Sequence, residues 1–145
     1  MNVEVTGNAV PRLTRRDISA FIRKILLALE LEEEITDVSV AIVDDETMKN
    51  LNRKFRHTNR TTDVLTFPAD DSYADPRKNG KPLGDIVISI DQARRQAAGE
   101  KHSLSTEVRY LLVHGVLHAL GYDHETDQGE MNELEMRVRS AVRLD

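Results

Sequence analysis

The chain contains no cysteine among its 145 residues. A disulfide framework is therefore excluded, and any metal site must use histidine and carboxylate ligands instead of thiolates. No stretch approaches the roughly 20 consecutive apolar residues that a membrane-spanning helix needs. The first residues also lack the apolar run and the small-residue cleavage site of a secretory signal. These absences predict a cytoplasmic protein without a membrane segment.

Length and composition predict one ordinary globular domain over residues 1–145. Hydrophobic residues make up 39% of the chain and charged residues 31%, which is the usual balance of a folded protein. A chain of this length can bury about two-thirds of the surface that it exposes when unfolded. One hydrophobic core is therefore expected.

Acidic residues outnumber basic ones, and the formal net charge is −5. Such a balance argues against broad, nonspecific attraction to nucleic acid. The charges are unevenly distributed, however, because residues 49–60 carry no acidic side chain. A run of this kind is either a solvated helix surface or a local binding surface for anions. Its basic residues are Lys49, Arg53, Lys54, Arg56 and Arg60.

The periodicity of the apolar residues predicts an α/β (α+β) fold, a small mixed sheet packed with about five helices. Strands are expected at residues 37–43, 63–67 and 85–90, with a further strand near residues 2–6. Residues 68–84 are dense in Pro, Gly, Asp and Asn and predict a mobile loop. Capping boxes predict the start of the first helix at Thr14 and Asp17 and of the last at Asp127 and Glu130.

The second helix carries the basic run. Asp44 and Asp45 precede it as capping residues. Met48, Leu51 and Phe55 follow at helical spacing and are expected to form its buried stripe. The basic side chains between them would then face solvent or a cleft.

The third and fourth helices are predicted from their end signals. Asp91 is expected to cap the third helix, which would end near Gly99. Ser103 or Ser105 opens the fourth, and Gly121 ends it. This fourth helix contains YLLVHGVLHAL, which is apolar on nearly every side, so it should lie buried at the centre of the domain.

Three histidines near the end of the fourth helix form a candidate metal site. His114 and His118 are four residues apart, so their side chains lie one above the other on one helix face. A turn through Gly121 can fold His124 back towards them. Three histidines around zinc leave the fourth tetrahedral position for water, as in catalytic sites. Satisfied polar groups in a core are the alternative, but leaving buried imidazole nitrogens unpaired costs about 1 to 3 kcal/mol each.

The spacing of HGVLHALGYDH equals that of the metzincin protease signature, HExxHxxGxxH. One residue differs, because Gly115 stands where those proteases carry the glutamate that serves as general base. A peptide-hydrolysing mechanism would lack its proton acceptor. A metzincin-like metalloprotease is therefore the alternative, not the preferred hypothesis.

Three motifs resemble the YbeY family of metal-dependent endoribonucleases. HGVLHALGYDH is similar to that family's HGxLHLxGYDH and departs from it at Ala119. LNRKFRHTNRTTDVLTFP is similar to LNxxFRxxDxPTDVLSFP, with departures at Asn59, Thr61 and Thr66, and LGDIVIS is similar to a third family motif. Together the similar segments cover roughly residues 36–124.

The resemblance implies an α/β fold and one Zn²⁺ per chain on His114, His118 and His124. It also implies cleavage of single-stranded RNA in the maturation of the 16S ribosomal RNA 3′ end and in ribosome quality control. Precursor ribosomal RNA and ribosomal subunit proteins are the partners expected from it. Arg56 matches the family motif, and a guanidinium suits a phosphate because its fork of donors is fixed and always charged.

Other catalytic and substrate-binding roles stay open. Arg56 and Asp85 are the candidate catalytic residues, and Lys49, Arg53 and Arg56 are the candidate substrate-binding ones. Asp63 and Asp123 are alternatives to Asp85 as general base, and any of the three could instead orient a ligating imidazole. A further hypothesis is a ribosome-assembly binding protein with a structural metal, closed by a fourth protein ligand such as Asp123.

Overall fold

A computed structural model describes residues 1–57, 62–69, 80–122 and 128–144. No helix in these ranges is long and apolar enough to cross a membrane. The described residues contain four strands and five helices: β1 (Asn2–Gly7), α1 (Arg15–Ala28), β2 (Asp37–Val43), α2 (Asp45–Arg56), β3 (Val64–Pro68), β4 (Gly84–Ser89), α3 (Ile90–Glu100), α4 (Leu104–Ala119) and α5 (Glu130–Ala141).

The four strands form one mixed sheet in the order β1-β2-β4-β3. β1, β2 and β4 are parallel to one another, and β3 pairs with β4 in the antiparallel direction at one end of the sheet. A β-strand points successive side chains to opposite faces, and the central strand β2 accordingly alternates between buried and half-buried residues. The predicted fold class, a mixed sheet with five helices, is confirmed.

The larger hydrophobic core lies on the sheet face that α4 covers. Val38, Val40 and Ile86 point into it from the strands. Helix α4 packs against β3, β4 and the helices α1, α3 and α5, and Leu112 and Val116 are fully buried on it. The expectation of a central buried helix is therefore confirmed.

Helix α2 covers the opposite face of the sheet. Met48 from α2 packs there with Leu65 and Val87 in a second, smaller apolar cluster. This arrangement follows from strand alternation, because Val87 stands between Ile86 and Ile88, which both belong to the larger core. The basic helix α2 and the histidine-bearing helix α4 thus lie on opposite faces of one sheet.

The predicted helix starts at Thr14, Asp44 and Ser103 are confirmed. Thr14 and Asp17 form a complete capping box, and Ser103 accepts the N–H of Thr106 at 3.1 Å. Asp44 accepts the backbone N–H of Thr47 at 2.8 Å. The hydrogen bonds from the side chain and backbone of Thr47 hold the pKa of Asp44 below its ordinary value.

The predicted burial of Phe55 is wrong, since this side chain is 50% exposed. The buried residues of α2 are Met48 and Asn52. These two residues are one turn apart, so the helix presents a narrower face to the sheet than the apolar spacing indicated. Phe55, in the last turn of α2, contacts Phe67 of β3 edge to face and leaves half of its surface exposed.

The ends predicted for α3 are also wrong. Ser89, not Asp91, is its N-cap and accepts the N–H of Gln92 at 3.2 Å. Asp91 instead accepts the backbone N–H of Asp45 at 2.8 Å and so joins α3 to the start of α2. The helix also continues past Gly99 to a left-handed C-cap at Lys101.

Two further predictions fall wholly or largely outside the described residues. The loop expected at residues 68–84 includes residues 70–79, which lie outside them. Asp127, the expected cap of the last helix, also lies outside. Gly129 occupies the N-cap position of α5 with a φ of 103° and no side-chain hydrogen bond.

Candidate metal centre

Helix α4 brings the Nε2 atoms of His114 and His118 to 2.9 Å from each other. The two rings meet edge to face, with centroids 4.4 Å apart. Zinc binds imidazole nitrogen at about 2.0 to 2.1 Å, so two nitrogens that share one tetrahedral ion lie about 3.3 Å apart. The observed separation therefore fits a pair of ligands on a single zinc ion.

The third predicted ligand, His124, lies outside the described residues. Helix α4 ends before Gly121, as expected. Gly121 adopts a φ of 102° and donates its N–H to the carbonyl of His118, while Tyr122 donates to that of Leu117. Within the described ranges no group of three or more potential ligands comes together, so three-histidine coordination stays a prediction.

A carboxylate that the sequence analysis missed contacts the first histidine. His114 Nδ1 lies 3.2 Å from Oε1 of Glu135 on α5, and Glu135 is only 5% exposed. A carboxylate at Nδ1 favours the tautomer that protonates Nδ1 and leaves the lone pair of Nε2 for a metal. A signal was present in the sequence, since Glu135 stands between Met131 and Val138 on the buried face of α5.

Glu135 is itself held by a cation. Arg139, one turn along α5, donates from Nη2 to the same Oε1 atom at 3.2 Å. The guanidinium of Arg139 lies 4.5 Å from the ring centroid of Tyr110 on α4, which is within the range of a cation–π contact. The buried carboxylate is thus paired with a charge, as burial of a carboxylate requires.

Gly115 faces the sheet between the two histidines. A Cβ atom at this position would lie 2.7 Å from Cγ2 of Ile86 and 3.4 Å from Cγ2 of Val64. The first distance is shorter than van der Waals contact allows, so even alanine would force Ile86 to move. A larger residue here would require Ile86 to shift, and the chain carries no carboxylate at this position to serve as a general base, which argues against the metalloprotease hypothesis.

Arg56, at the end of α2, reaches the outer edge of β3. Its Nη2 donates to the carbonyl of Thr66 at 3.1 Å. Ser89 donates its N–H to the carbonyl of Asp63, so in this antiparallel pair the backbone of Thr66 faces away from β4, at the edge of the sheet. The Arg56 side chain is exposed, and this bond uses one of the five N–H donors of a guanidinium.

Of the candidate bases, Asp85 lies on the sheet face away from the histidines. Asp85 precedes Ile86 in β4, and because Ile86 contacts the α4 side, Asp85 points to the opposite face. There it lines an open groove of about 420 Å³. The carboxylate of Asp63 accepts the neighbouring N–H of Val64 at 2.8 Å, and Asp123 lies outside the described residues.

The remaining basic candidates, Lys49 and Arg53, are exposed on α2. Arg53 donates to Oδ1 of Asn50 at 2.9 Å. Cations in the last turn of a helix also interact favourably with its carbonyl end, so Arg53, Lys54 and Arg56 have a local structural role. Whether they bind substrate stays a prediction.

The fold and the histidine pair define an α/β protein with a candidate metal centre on its central helix. A family model described as Endoribonuclease YbeY matches residues 4–143. The chain therefore belongs to the Endoribonuclease YbeY family. The resemblance found in the sequence and the prediction of an enzyme, a hydrolase of the nuclease type, are both confirmed.

Individual relatives agree with the family match. The chain is similar to an endoribonuclease YbeY from Caldicellulosiruptor bescii, with 42% identity over an alignment that covers 88% of this chain and 91% of the relative. The endoribonuclease YbeY of a Thermoanaerobacter species is 35% identical and covers 99% of each chain. A solution structure of a Thermotoga maritima protein superimposes with a TM-score of 0.66 at 24% identity, covering 97% of this chain and 88% of that one; at this identity it supports the fold alone.

Proposed function

We propose that this protein is a zinc-dependent endoribonuclease that cleaves single-stranded RNA in the cytoplasm. The observation that carries the proposal is the pair of Nε2 atoms 2.9 Å apart on α4. Membership of the endoribonuclease family supports RNA as the polymer. The proposed biological setting is maturation of the 16S ribosomal RNA 3′ end and ribosome quality control, with ribosomal subunit proteins as partners, and it rests on the resemblance alone.

His114, His118 and His124 would hold the zinc ion. When bound, zinc supplies a Lewis acid that polarises a phosphoryl oxygen and favours the deprotonation of water. The carboxylate of Glu135 supports this role from behind His114, because it would accept a hydrogen bond from Nδ1–H and leave the Nε2 lone pair for the ion.

Arg56 is the proposed phosphate-binding residue. Its guanidinium is exposed at the edge of β3, anchored by one hydrogen bond to Thr66. The anchor restricts the side chain, so less entropy is lost when the remaining donors bind an anion. A fixed positive charge at a scissile phosphate stabilises the negative charge that develops during cleavage. Lys49 and Arg53, on the same helix, would contribute contacts to flanking phosphates.

The proposal assigns no step to Asp85, because it lies on β4, inside the sheet, and points away from α4, whereas Arg56 reaches the outer edge of β3. Two other functions compete with RNA cleavage. A metalloprotease would need a base where Gly115 contacts the sheet. A binding protein with a structural metal would need a fourth protein ligand that closes the site.

A cleavage assay separates these functions. Metal-loaded wild type and His114→Ala are incubated with a labelled RNA hairpin that has a long loop, with a fully paired RNA duplex, and with casein. We expect cuts in the loop by wild type only, with the duplex spared because its backbone is held stiffly. His102→Ala is the control, since His102 pairs with Glu107 and is not one of the proposed zinc ligands, and it should cut like wild type.

Each alternative has its own outcome. Casein cleavage that disappears in His114→Ala would establish the protease. Full zinc binding without cleavage of either polymer would favour a structural metal. Identical RNA cuts by wild type and His114→Ala would reveal a contaminating nuclease and contradict the proposal.

A further inference from the structure

The last turn of α2 exposes an aromatic ring among cations. Phe55 is 50% exposed, and its neighbours in the chain are Lys54 and Arg56, with Arg53 close behind. Exposing half of a phenyl ring forfeits part of the favourable free energy that burial would provide. The packing of α2 alone therefore does not explain why this ring is exposed.

Phe55 is positioned by a second aromatic ring. The edge-to-face contact with Phe67 of β3 has a centroid separation of 5.3 Å and an interplanar angle of 74°. Phe67 packs in turn against the smaller apolar cluster. One ring is thus anchored in the sheet, and it fixes the orientation of the exposed ring.

Charge around the exposed ring suits a polyanion. The Nζ atom of Lys54 lies 5.3 Å from the centroid of Phe55, near the outer limit of about 6 Å for a cation–π contact. Lys54 is exposed and has a flexible stem, so an arriving ligand can displace it. An aromatic ring beside a row of cations is the combination that binds single-stranded nucleic acid, with bases stacked on the ring and phosphates paired with the cations.

We propose, building on the RNA-cleaving function above, that Phe55 stacks an unpaired RNA base while Arg56 binds an adjacent phosphate. Strand β3 connects this site to the metal centre, because α4 packs against β3 and Arg56 is bonded to its outer edge at Thr66. A single strand held at Phe55 can pass around this edge towards the histidines. A duplex offers no free base for the ring, which gives a second reason for single-strand preference.

A purely structural role for Phe55 is the competing explanation, since the ring also covers Phe67. Replacing Phe55 by leucine distinguishes the two roles, because leucine keeps the apolar contact with Phe67 but offers no aromatic face. Replacing it by tryptophan keeps the aromatic face and enlarges it. The stacking role predicts that affinity for RNA follows the aromatic face, whereas the structural role predicts that it follows apolar packing.

The test is equilibrium binding of a fluorescently labelled, single-stranded 2′-O-methyl oligonucleotide to the metal-loaded full chain at several salt concentrations, with a denaturing gel to show that the oligonucleotide stays intact. We expect Phe55→Leu to weaken binding by about 5- to 100-fold, the effect of losing one stacked base, and Phe55→Trp to bind as tightly as wild type or more tightly. The salt slope should stay at the wild-type value in both. Lys54→Ala should instead lower that slope by about one unit.

Leu27→Ala is the matched control, because Leu27 is a 60% exposed apolar residue on α1. Equal affinity of wild type and Phe55→Leu would overturn the stacking role, as would an equal loss in Leu27→Ala. Cleavage is scored separately. If wild type cuts RNA but substitutions at Phe55 do not change binding, the stacking site is wrong and the proposed activity stands. If binding depends on Phe55 but no RNA is cut, the proposed activity is wrong and the stacking site is supported.

Discussion

Replacing Glu135 by glutamine tests whether the carboxylate behind His114 supports metal binding. Glutamine has nearly the same size and keeps a carbonyl oxygen, but it removes the negative charge that lies 3.2 Å from Nδ1 of His114. Loss of an outer carboxylate of this kind typically lowers metal affinity by about 10- to 100-fold. That range corresponds to about 1.4 to 2.7 kcal/mol of binding free energy.

Folding stability has to be measured alongside affinity, because the same substitution leaves Arg139 without its anion. Glu135 is buried, and its Oε1 also accepts a hydrogen bond from Arg139 at 3.2 Å. Breaking a buried ion pair by removing one partner destabilises a protein substantially. Zinc affinity is therefore determined by competition with a chelator under conditions in which circular dichroism shows both proteins to be folded.

A second histidine–glutamate pair in this chain provides the control. His102 Nε2 lies 2.7 Å from Oε1 of Glu107, and Glu107 is buried like Glu135. Glu107→Gln should lower the melting temperature but leave zinc affinity unchanged. Wild-type affinity in Glu135→Gln, or the same loss of affinity in Glu107→Gln, would refute the role assigned to Glu135.

Three further predictions concern the packing, the phosphate site and the pH dependence. Gly99→Ala should stabilise the fold by about 0.5 to 1 kcal/mol, because nothing lies within 4 Å of the new Cβ. Gly115→Ala should be neutral or destabilising by up to about 2 kcal/mol, because its Cβ would be overpacked against the sheet. Equal midpoints of urea unfolding for the two variants would contradict the contact between Gly115 and the sheet. Arg56→Lys should lower RNA turnover roughly tenfold or more with unchanged zinc content, since an ammonium cannot reproduce the guanidinium fork, and equal turnover would make Arg56 a surface cation. The pKa of Asp44 is lowered in the folded state, so its ionised carboxylate stabilises the fold above about pH 4, and this stabilisation is lost as pH falls through the folded-state pKa. The free energy of unfolding of Asp44→Asn should therefore fall less than that of wild type between about pH 6 and pH 3. Equal decreases in the two proteins would contradict this prediction.

Features that depend on neighbours in the chain could be predicted from the sequence. The Thr14–Asp17 capping box joins residues three apart, and the approach of His114 to His118 follows from helix geometry alone. In both cases one turn of helix fixes the distance between the groups. No knowledge of how the elements pack was needed.

Features that depend on packing between elements could not be predicted in this way. The contact between His114 and Glu135 joins two helices across 21 residues of sequence. The sequence does not show on which sheet face Asp85 lies, because the pattern DIVISI is apolar on both sides of the strand. In the structure every residue from Ile86 to Ile90 is buried. The exposure of Phe55 depends on how narrowly α2 contacts the sheet, which only the packed structure determines.

The zinc content of purified protein shows whether the histidines of α4 form a metal centre. Wild type, His118→Ala and His102→Ala are loaded with zinc, freed of excess metal and measured by elemental analysis. We expect about one zinc per chain in wild type and in His102→Ala, and almost none in His118→Ala. Full zinc retention in His118→Ala, or a wild-type protein that holds no zinc, would contradict a metal centre built on the histidines of α4.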